Sequence, residues 1–142
     1  MRSNRSIPSS PIIPVLAYAD VNEAASWLCE AFGFTVRLRI GTGHRVQMNA
    51  GKGGAVIVRE RHEDEIDAPL GLGCSVMIRV EDVDAHCRRA REYGARITQE
   101  PTTHMYGERQ YACIDFAGRS WSFSQSVADV HPADWGGVAE KL

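Results

Sequence analysis

The stretch HMYGERQYACIDFAGRSWSFSQ, residues 104–125, decides the fold of this chain. Its second half alternates without a break, so Trp121 and Phe123 point to one face of a strand and the serines between them to the other. Residues 115–118 (DFAG) supply turn chemistry, with an Asp first and a Gly last. The stretch therefore predicts a hairpin whose apolar face packs on a core. Its serine face predicts the wall of a polar cavity.

A strand–helix–strand–strand–strand order occurs twice along the chain. Asp20 and Asp82, 62 residues apart, each follow an apolar strand and are placed to cap a helix. Gly33 and Gly94 end the two helices, which are predicted over residues 20–32 and 82–93. The sequence thus predicts an α+β fold of two tandem βαβββ modules. They would form an eight-stranded, incompletely closed sheet around a cleft, with the helices outside.

The domain organisation follows from this repeat. Residues 1–10 are polar and rich in Pro and Ser, which is typical of a flexible N-terminal arm. One domain is expected over residues 11–127, with module 1 at 11–60, a charged linker at 61–73 and module 2 at 74–127. Residues 128–142 form a C-terminal tail. Neither module has enough core to fold alone, so the two are expected to share one.

Composition excludes several classes of protein. The formal net charge is −2 and the pI is about 6.2, so no basic surface is expected to bind nucleic acid. The apolar runs are too short to cross a membrane, and no apolar segment of a signal peptide follows Arg2 and Arg5. We therefore expect a cytoplasmic protein with no membrane partner. Four cysteines without metal-type spacing are expected to be buried and reduced: Cys29, Cys74, Cys87 and Cys113.

The order of these motifs resembles the vicinal oxygen chelate superfamily, the glyoxalase, bleomycin resistance protein and dioxygenase group. The resemblance rests on residues 19–21 and 31–34 around the first helix, on 80–84 before the second, and on 106–109 and 115–121 in the hairpin. It covers about residues 11–127, and the tail looks like that of the PhnB-like branch. The resemblance implies the two-module fold, a ligand cleft and, commonly, a homodimer.

Enzymes of that superfamily hold a divalent metal with four ligands, on the first and last strand of each module. Aligned from Asp20 and Asp82, those positions fall at Ile13, Ser75 and Ser122, with Ile57 or Val58 as the fourth. Hydrocarbon and hydroxyl side chains lack the donors that a catalytic metal needs. No metal and no other cofactor is therefore expected. A shifted register, or unorthodox ligands such as Glu60, His44 and His104, remains an alternative.

The cleft is predicted to bind a small molecule without a metal. Alternation brings Ser75 and Arg79 to the same face as the serines of the hairpin, and Tyr106 and Arg109 lie at its mouth. Arg79 is either an anchor for an acidic group or one half of a structural salt bridge, to Glu108 or Asp115. The predicted ligand-binding residues are Ser75, Arg79, Tyr106, Arg109, Ser120, Ser122 and Ser124.

Three functions are compatible with this cleft. The first is a metal-independent protein that sequesters an amphipathic organic ligand, of the type to which bleomycin resistance proteins belong, and acts as a homodimer. The second is an enzyme of the same superfamily, of lyase, isomerase or dioxygenase type, with a non-standard or metal-free site. The third is a module without a ligand. Trp27 and Trp121 are predicted to lie in the core, and Trp135 to cover the cleft or contact a partner subunit.

Overall fold

The computed structural model describes residues 1–65 and 73–140, so most of the predicted linker lies outside the described residues. The two helices are α1 (Val21–Phe32) and α2 (Val83–Glu92). The strands of module 1 are β1 (Val15–Tyr18), β2 (Thr35–Ile40), β3 (Arg45–Ala50) and β4 (Gly54–Glu60). Those of module 2 are β5 (Val76–Arg79), β6 (Arg96–Thr103), β7 (Glu108–Ile114) and β8 (Ser120–Ser126).

Each module folds into the same four-stranded sheet, which confirms the α+β fold and the duplicated βαβββ unit. The strand orders are β1-β4-β3-β2 and β5-β8-β7-β6, and the first pairing of each is parallel. Register also matches: Val15 pairs with Ile57 in module 1, and Met77, 62 residues later, pairs with Ser122 in module 2. This match aligns the two modules residue by residue.

The helices begin and end where the sequence predicts. Asp20 and Asp82 accept hydrogen bonds from the backbone amides of Glu23 and Ala85, three residues on, which satisfies donors of the first turn. Gly33 ends α1 at φ 73°, a left-handed conformation that favours glycine.

The helices occupy the centre of the molecule, which corrects the prediction that they lie outside. Phe32, at the end of α1, packs edge-on against Trp121 and Phe123 of β8, with ring centroids 5.2 and 4.8 Å apart. Side chains of both helices and both sheets belong to one buried core. Each sheet therefore turns its other face outward, away from the other module, and the eight strands form two open sheets with a shared helical layer.

Prolines shape two of the strands. β1 begins only after Pro14, whose carbonyl accepts a hydrogen bond from the Ile57 amide at 2.9 Å. β6 continues through Pro101, a residue that cannot donate a backbone hydrogen bond. β6 is an edge strand and its register shifts between Gln99 and Thr102, so the missing amide of Pro101 costs no ladder bond.

The N-terminal arm lies against the outer face of the first sheet. The Ser6 carbonyl accepts a hydrogen bond from Gln47 Nε2 at 2.9 Å, and the Arg5 carbonyl accepts one from Arg37 at 2.9 Å. Pro8 is buried, and Gln47 is only 3% exposed. The arm thus covers polar side chains that point away from the core.

Burial of the cysteines and tryptophans is largely as predicted. Trp121 is fully buried, and Trp27 is partly buried against the core. All four cysteines are free, but Cys74 is exposed, which contradicts its predicted burial, because it precedes the strand instead of lying within it. Within residues 1–65 and 73–140, neither helix is long and apolar enough to cross a bilayer.

Candidate functional site

The outer face of the second sheet carries the predicted serines. We call it the serine face. Trp121 and Phe123 are buried towards the helices, so the serines between them lie on the opposite face, as the alternation predicts. That face points away from module 1, so the two modules of one chain do not enclose the polar cavity that the sequence predicts there. Strand pairing sets Ser122 between Met77 and Ala112, and Ser124 between Arg79 and Gln110. The face therefore has apolar and polar rows side by side.

Ser124 is the centre of a hydrogen-bond network on this face. It is 3% exposed and donates to Glu108 Oε1 at 2.7 Å. Gln110 Nε2 donates to Ser124 Oγ at 3.1 Å, and Tyr106 donates to Gln110 Oε1 at 3.0 Å. A continuous path of polar side chains thus runs from the 104–107 turn to the end of β5.

Arg79 ends this path and faces solvent. It donates to Ser126 Oγ, and its guanidinium lies 3.6 Å from Glu108 Oε1, yet its side chain is 73% exposed. Hydrogen bonds from Ser126 and Ser124, with the charge of Arg79, hold the pKa of Glu108 below its usual value. Of the two partners considered for Arg79, the structure selects Glu108. The exposed guanidinium keeps donors available for a second anion.

Arg109 lies apart from this network. It points towards the helices and forms two hydrogen bonds of 3.0 Å with the Asp84 carboxylate on α2. That pairing holds the pKa of Asp84 below its ordinary value. The structure therefore places Arg109 away from the serine face. Ser75 is exposed and precedes β5, and Ser120 pairs with Ile114 at the other end of β8.

The mouth of the serine face is built from aromatic rings. Tyr106 stacks on His104 with centroids 5.1 Å apart, and Trp135 from the tail packs against the Tyr106 ring with centroids 5.0 Å apart. Trp135 thus covers part of the predicted mouth, which is one of the two positions expected for it.

Two residues of the network, Gln110 and Ser126, were missed by the sequence reasoning, and Glu108 was considered only as a salt-bridge partner of Arg79. The signal was available for Glu108 and Gln110. Tyr111 and Cys113 are buried, so alternation along β7 sends Glu108 and Gln110 to the face opposite the core.

The four positions where the superfamily would hold a metal do not fit one here. The register equates Ile57, not Val58, with Ser122, while Val58 points into the core. The alternative donors His44 and Glu60 lie 3.9 Å apart, with both side chains more than 60% exposed. Among the described residues, no three His, Cys, Asp or Glu side chains are grouped closely enough to hold a metal ion. The donor set therefore does not support catalysis by a bound metal.

Comparison with known families assigns the chain. Residues 13–123 match the model of the Glyoxalase/Bleomycin resistance protein/Dioxygenase superfamily, and the chain belongs to that superfamily. The comparison with curated proteins gives no match.

Solved structures share this fold. TioX from Micromonospora sp. ML1 is 34% identical, with a TM-score of 0.68, over 86% of this chain and 100% of that one. A glyoxalase/bleomycin resistance protein from Streptomyces sp. CB03234 is 23% identical, with a TM-score of 0.63, over 80% and 97% of the two chains. A family enzyme from Burkholderia phytofirmans PsJN is 15% identical, with a TM-score of 0.66, over 80% and 96%. The last two show the fold alone.

Proposed function

We propose that this protein binds a small amphipathic organic molecule on the serine face without a metal. The observation that carries the proposal is the Arg79 guanidinium, which is largely exposed at the end of an otherwise paired polar network. A carboxylate or similar anion would receive charge-assisted hydrogen bonds from it. Membership of a superfamily that includes bleomycin resistance proteins supports a binding role.

The ligand is amphipathic because the face has two kinds of surface. Met77, 59% exposed, lies beside Ser122, and Ala112 and Ile114 extend this apolar area along β7. Ser124, Gln110 and Glu108 provide hydrogen-bonding groups in the next row. Apolar area with a few placed polar groups is typical of small-molecule sites.

A second copy of the chain would complete the cleft. The outer faces of the two sheets point away from each other, so one chain supplies a wall and not an enclosure. β1 and β5 are short edge strands, and edge strands readily pair with another chain. Val15 on β1 and Met77 on β5 are both exposed apolar side chains. We propose a homodimer in which the first sheet of one copy faces the second sheet of its partner.

An enzyme of the same superfamily is the second candidate, and the His44–Glu60 pair favours it. An imidazole and a carboxylate 3.9 Å apart could transfer a proton or share a metal ion with substrate. This pair lies on the first sheet, far along the chain from the serine face. Its function would therefore be separable by mutation.

Thermal shift with a panel of amphipathic carboxylates, such as naphthoates and decanoate, tests the binding function. A ligand at 100 times its dissociation constant should stabilise the wild type by about 2.7 kcal/mol. Arg79→Ala should abolish most of this gain. Arg88→Ala, which removes an exposed arginine of α2, should retain it. Equal stabilisation of wild type and Arg79→Ala would refute the role of Arg79.

Elemental analysis and sedimentation separate the remaining alternatives. If the protein contains a stoichiometric transition metal that is lost in His44→Ala or Glu60→Ala, the result refutes metal-free binding and supports the enzyme. A strictly monomeric protein at micromolar concentration would remove the second copy from the proposed cleft.

A further inference from the structure

An open cavity of about 780 Å³ lies where the two modules meet, on the helix side of the sheets. Phe32 and Phe34 form its aromatic wall, and Ile78 and Val80 form the opposite apolar wall. The 51–53 turn borders it from module 1. The volume lies within the range of about 300–1,000 Å³ that is usual for small-molecule sites.

Internal symmetry explains why side chains of the protein do not fill this space. The register that equates Ile57 with Ser122 also equates Tyr18 with Val80 and Phe116 with Gly51. At the symmetry-related junction, Tyr18 and Phe116 stack with centroids 5.8 Å apart and fill the space between the modules. At the cavity, a valine and a glycine stand in their places. Part of the cavity therefore corresponds to the volume that two aromatic rings occupy at the other junction.

The glycine prevents the protein from filling this volume at that turn. Gly51 has φ 66°, and a Cβ there would lie 3.1 Å from both the Arg79 carbonyl and Ile78 Cγ2. A larger residue would thus be strained in backbone conformation and in contact distance. The close approach of the turn to β5 holds the two walls of the cavity in place.

The polar groups around the cavity leave it without a dominant charge. His86 in the wall is fully engaged, with Nδ1 2.6 Å from the Tyr111 hydroxyl and Nε2 2.9 Å from the Phe32 carbonyl. Burial lowers its pKa, which favours the neutral ring. At the rim, Lys52 and Arg79 face Glu81, and Arg79 also shares Glu108. These charges offset one another.

We infer that this cavity is a binding site for a flat, uncharged aromatic molecule of about two or three rings. Such a molecule would replace the missing Tyr and Phe rings and contact Phe32 edge-to-face or in offset stacking, the geometries that aromatic pairs prefer. The apolar walls of the site are the helix-facing sides of the strands, and the site meets the serine face only at its rim, through Arg79 and Ser126. It does not depend on the proposed function.

Fluorescence of N-phenyl-1-naphthylamine, a neutral two-ring dye, tests the site directly. The wild type should bind about one dye per chain with enhanced emission. Val80→Phe restores one of the missing rings and should weaken binding by about tenfold or more. Val138→Phe, at an 87% exposed position of the tail, adds the same ring elsewhere and should leave the affinity unchanged.

Two further measurements keep the result interpretable. Thr35→Phe narrows the rim from an exposed position, so it should also weaken binding and is not expected to disturb the core. In the Arg79→Ala variant, which removes the anion anchor proposed for the serine face, the anionic analogue 8-anilinonaphthalene-1-sulfonate should bind no more than about threefold more tightly than the neutral dye. Equal dye affinity in wild type, Val80→Phe and Thr35→Phe would overturn the site. A strong preference for the sulfonate would overturn the uncharged ligand.

Discussion

The two junctions between the modules occupy equivalent places in a duplicated fold, yet one is filled and the other is open. At the filled junction, the Asp115 carboxylate accepts hydrogen bonds from the Tyr18 hydroxyl at 2.7 Å and from Trp121 Nε1 at 2.9 Å. At the open junction, the equivalents of Tyr18, Asp115 and Trp121 are Val80, Ala50 and Val56. Three small apolar residues cannot make either the hydrogen bonds or the ring contacts.

This difference separates two tasks that a symmetric repeat would otherwise share. The filled junction joins β1, α1 and the 115–119 turn through buried polar and aromatic contacts, which fixes the modules relative to each other. The Arg119 guanidinium adds a hydrogen bond to the Ala17 carbonyl at 2.7 Å and lies over the Tyr18 ring. The open junction contributes less to this attachment and keeps a cavity. The filled junction thus provides stability, and the open junction provides the proposed binding cavity.

The largest effect is expected from Asp115→Ala. The substitution removes the acceptor of two buried donors, Tyr18 and Trp121, and of the Ala117 and Arg119 amides in the turn. Each unsatisfied buried donor costs about 1–3 kcal/mol, so we expect a loss of about 4 kcal/mol in the free energy of unfolding. Urea denaturation measures this loss. Asp129→Ala, at an exposed tail position, is the matched control, and a loss below about 1 kcal/mol would show that the filled junction does not join the modules.

A smaller loss is expected from Phe116→Ala. Phe116 is 41% exposed and contacts the rings of Tyr18 and Trp27 at 5.8 and 5.3 Å. Half-burial of the ring predicts a cost of about 1–2 kcal/mol, below that of a fully buried Phe. Met105→Ala, which removes a more exposed apolar side chain, should change stability by less than about 0.5 kcal/mol. Equal effects in the two variants would contradict the filling role of Phe116.

The smallest effect concerns pH at the open junction. Burial holds the pKa of His86 below its unfolded value of about 6.5, so below that pH the unfolded chain binds more protons. Stability should therefore fall as pH decreases from about 7.5 to 6, by less than about 1.4 kcal/mol per unit. Arg89 contributes to the same shift, and the carboxylates with lowered pKa values stay ionised in this window.

His86→Gln should flatten this slope, whereas His44→Gln, which changes an exposed imidazole, should not. Urea denaturation at the two pH values measures both. A wild-type slope that persists unchanged in His86→Gln would assign the pH dependence to another group.

Much of the fold could be predicted because its signals are local. Asp20 and Gly33 mark one helix through capping and backbone conformation, and residues 120–124 reveal the buried face of β8 by alternation. The placement of Ser122 and Arg79 on the face opposite the core followed from the same rule, although the sequence predicted that this face lines a cleft between the two modules. These features depend on neighbours in sequence, so a single chain carries them plainly.

The rest depends on contacts between distant residues. The central position of the helices rests on packing of Phe32 against module 2, which no pattern in α1 indicates. Arg109 was grouped with the ligand-binding residues because it follows a turn, but its partner Asp84 lies on another element. The cavity itself arises because Gly51 and Val80 lack the aromatic rings that Phe116 and Tyr18 supply at the other junction.

Residues 5–8 of the N-terminal arm contact Gln47 and Arg37, so the arm competes with any other molecule for this part of the first sheet. A segment joined to its own docking surface by a short chain is present there at an effective concentration of about millimolar. A partner surface or ligand that uses Gln47 and Arg37 must therefore bind tightly enough to displace the arm, or must bind beside it. Weak binders are therefore displaced by the arm, and a ligand must exceed a minimum affinity to occupy this part of the first sheet.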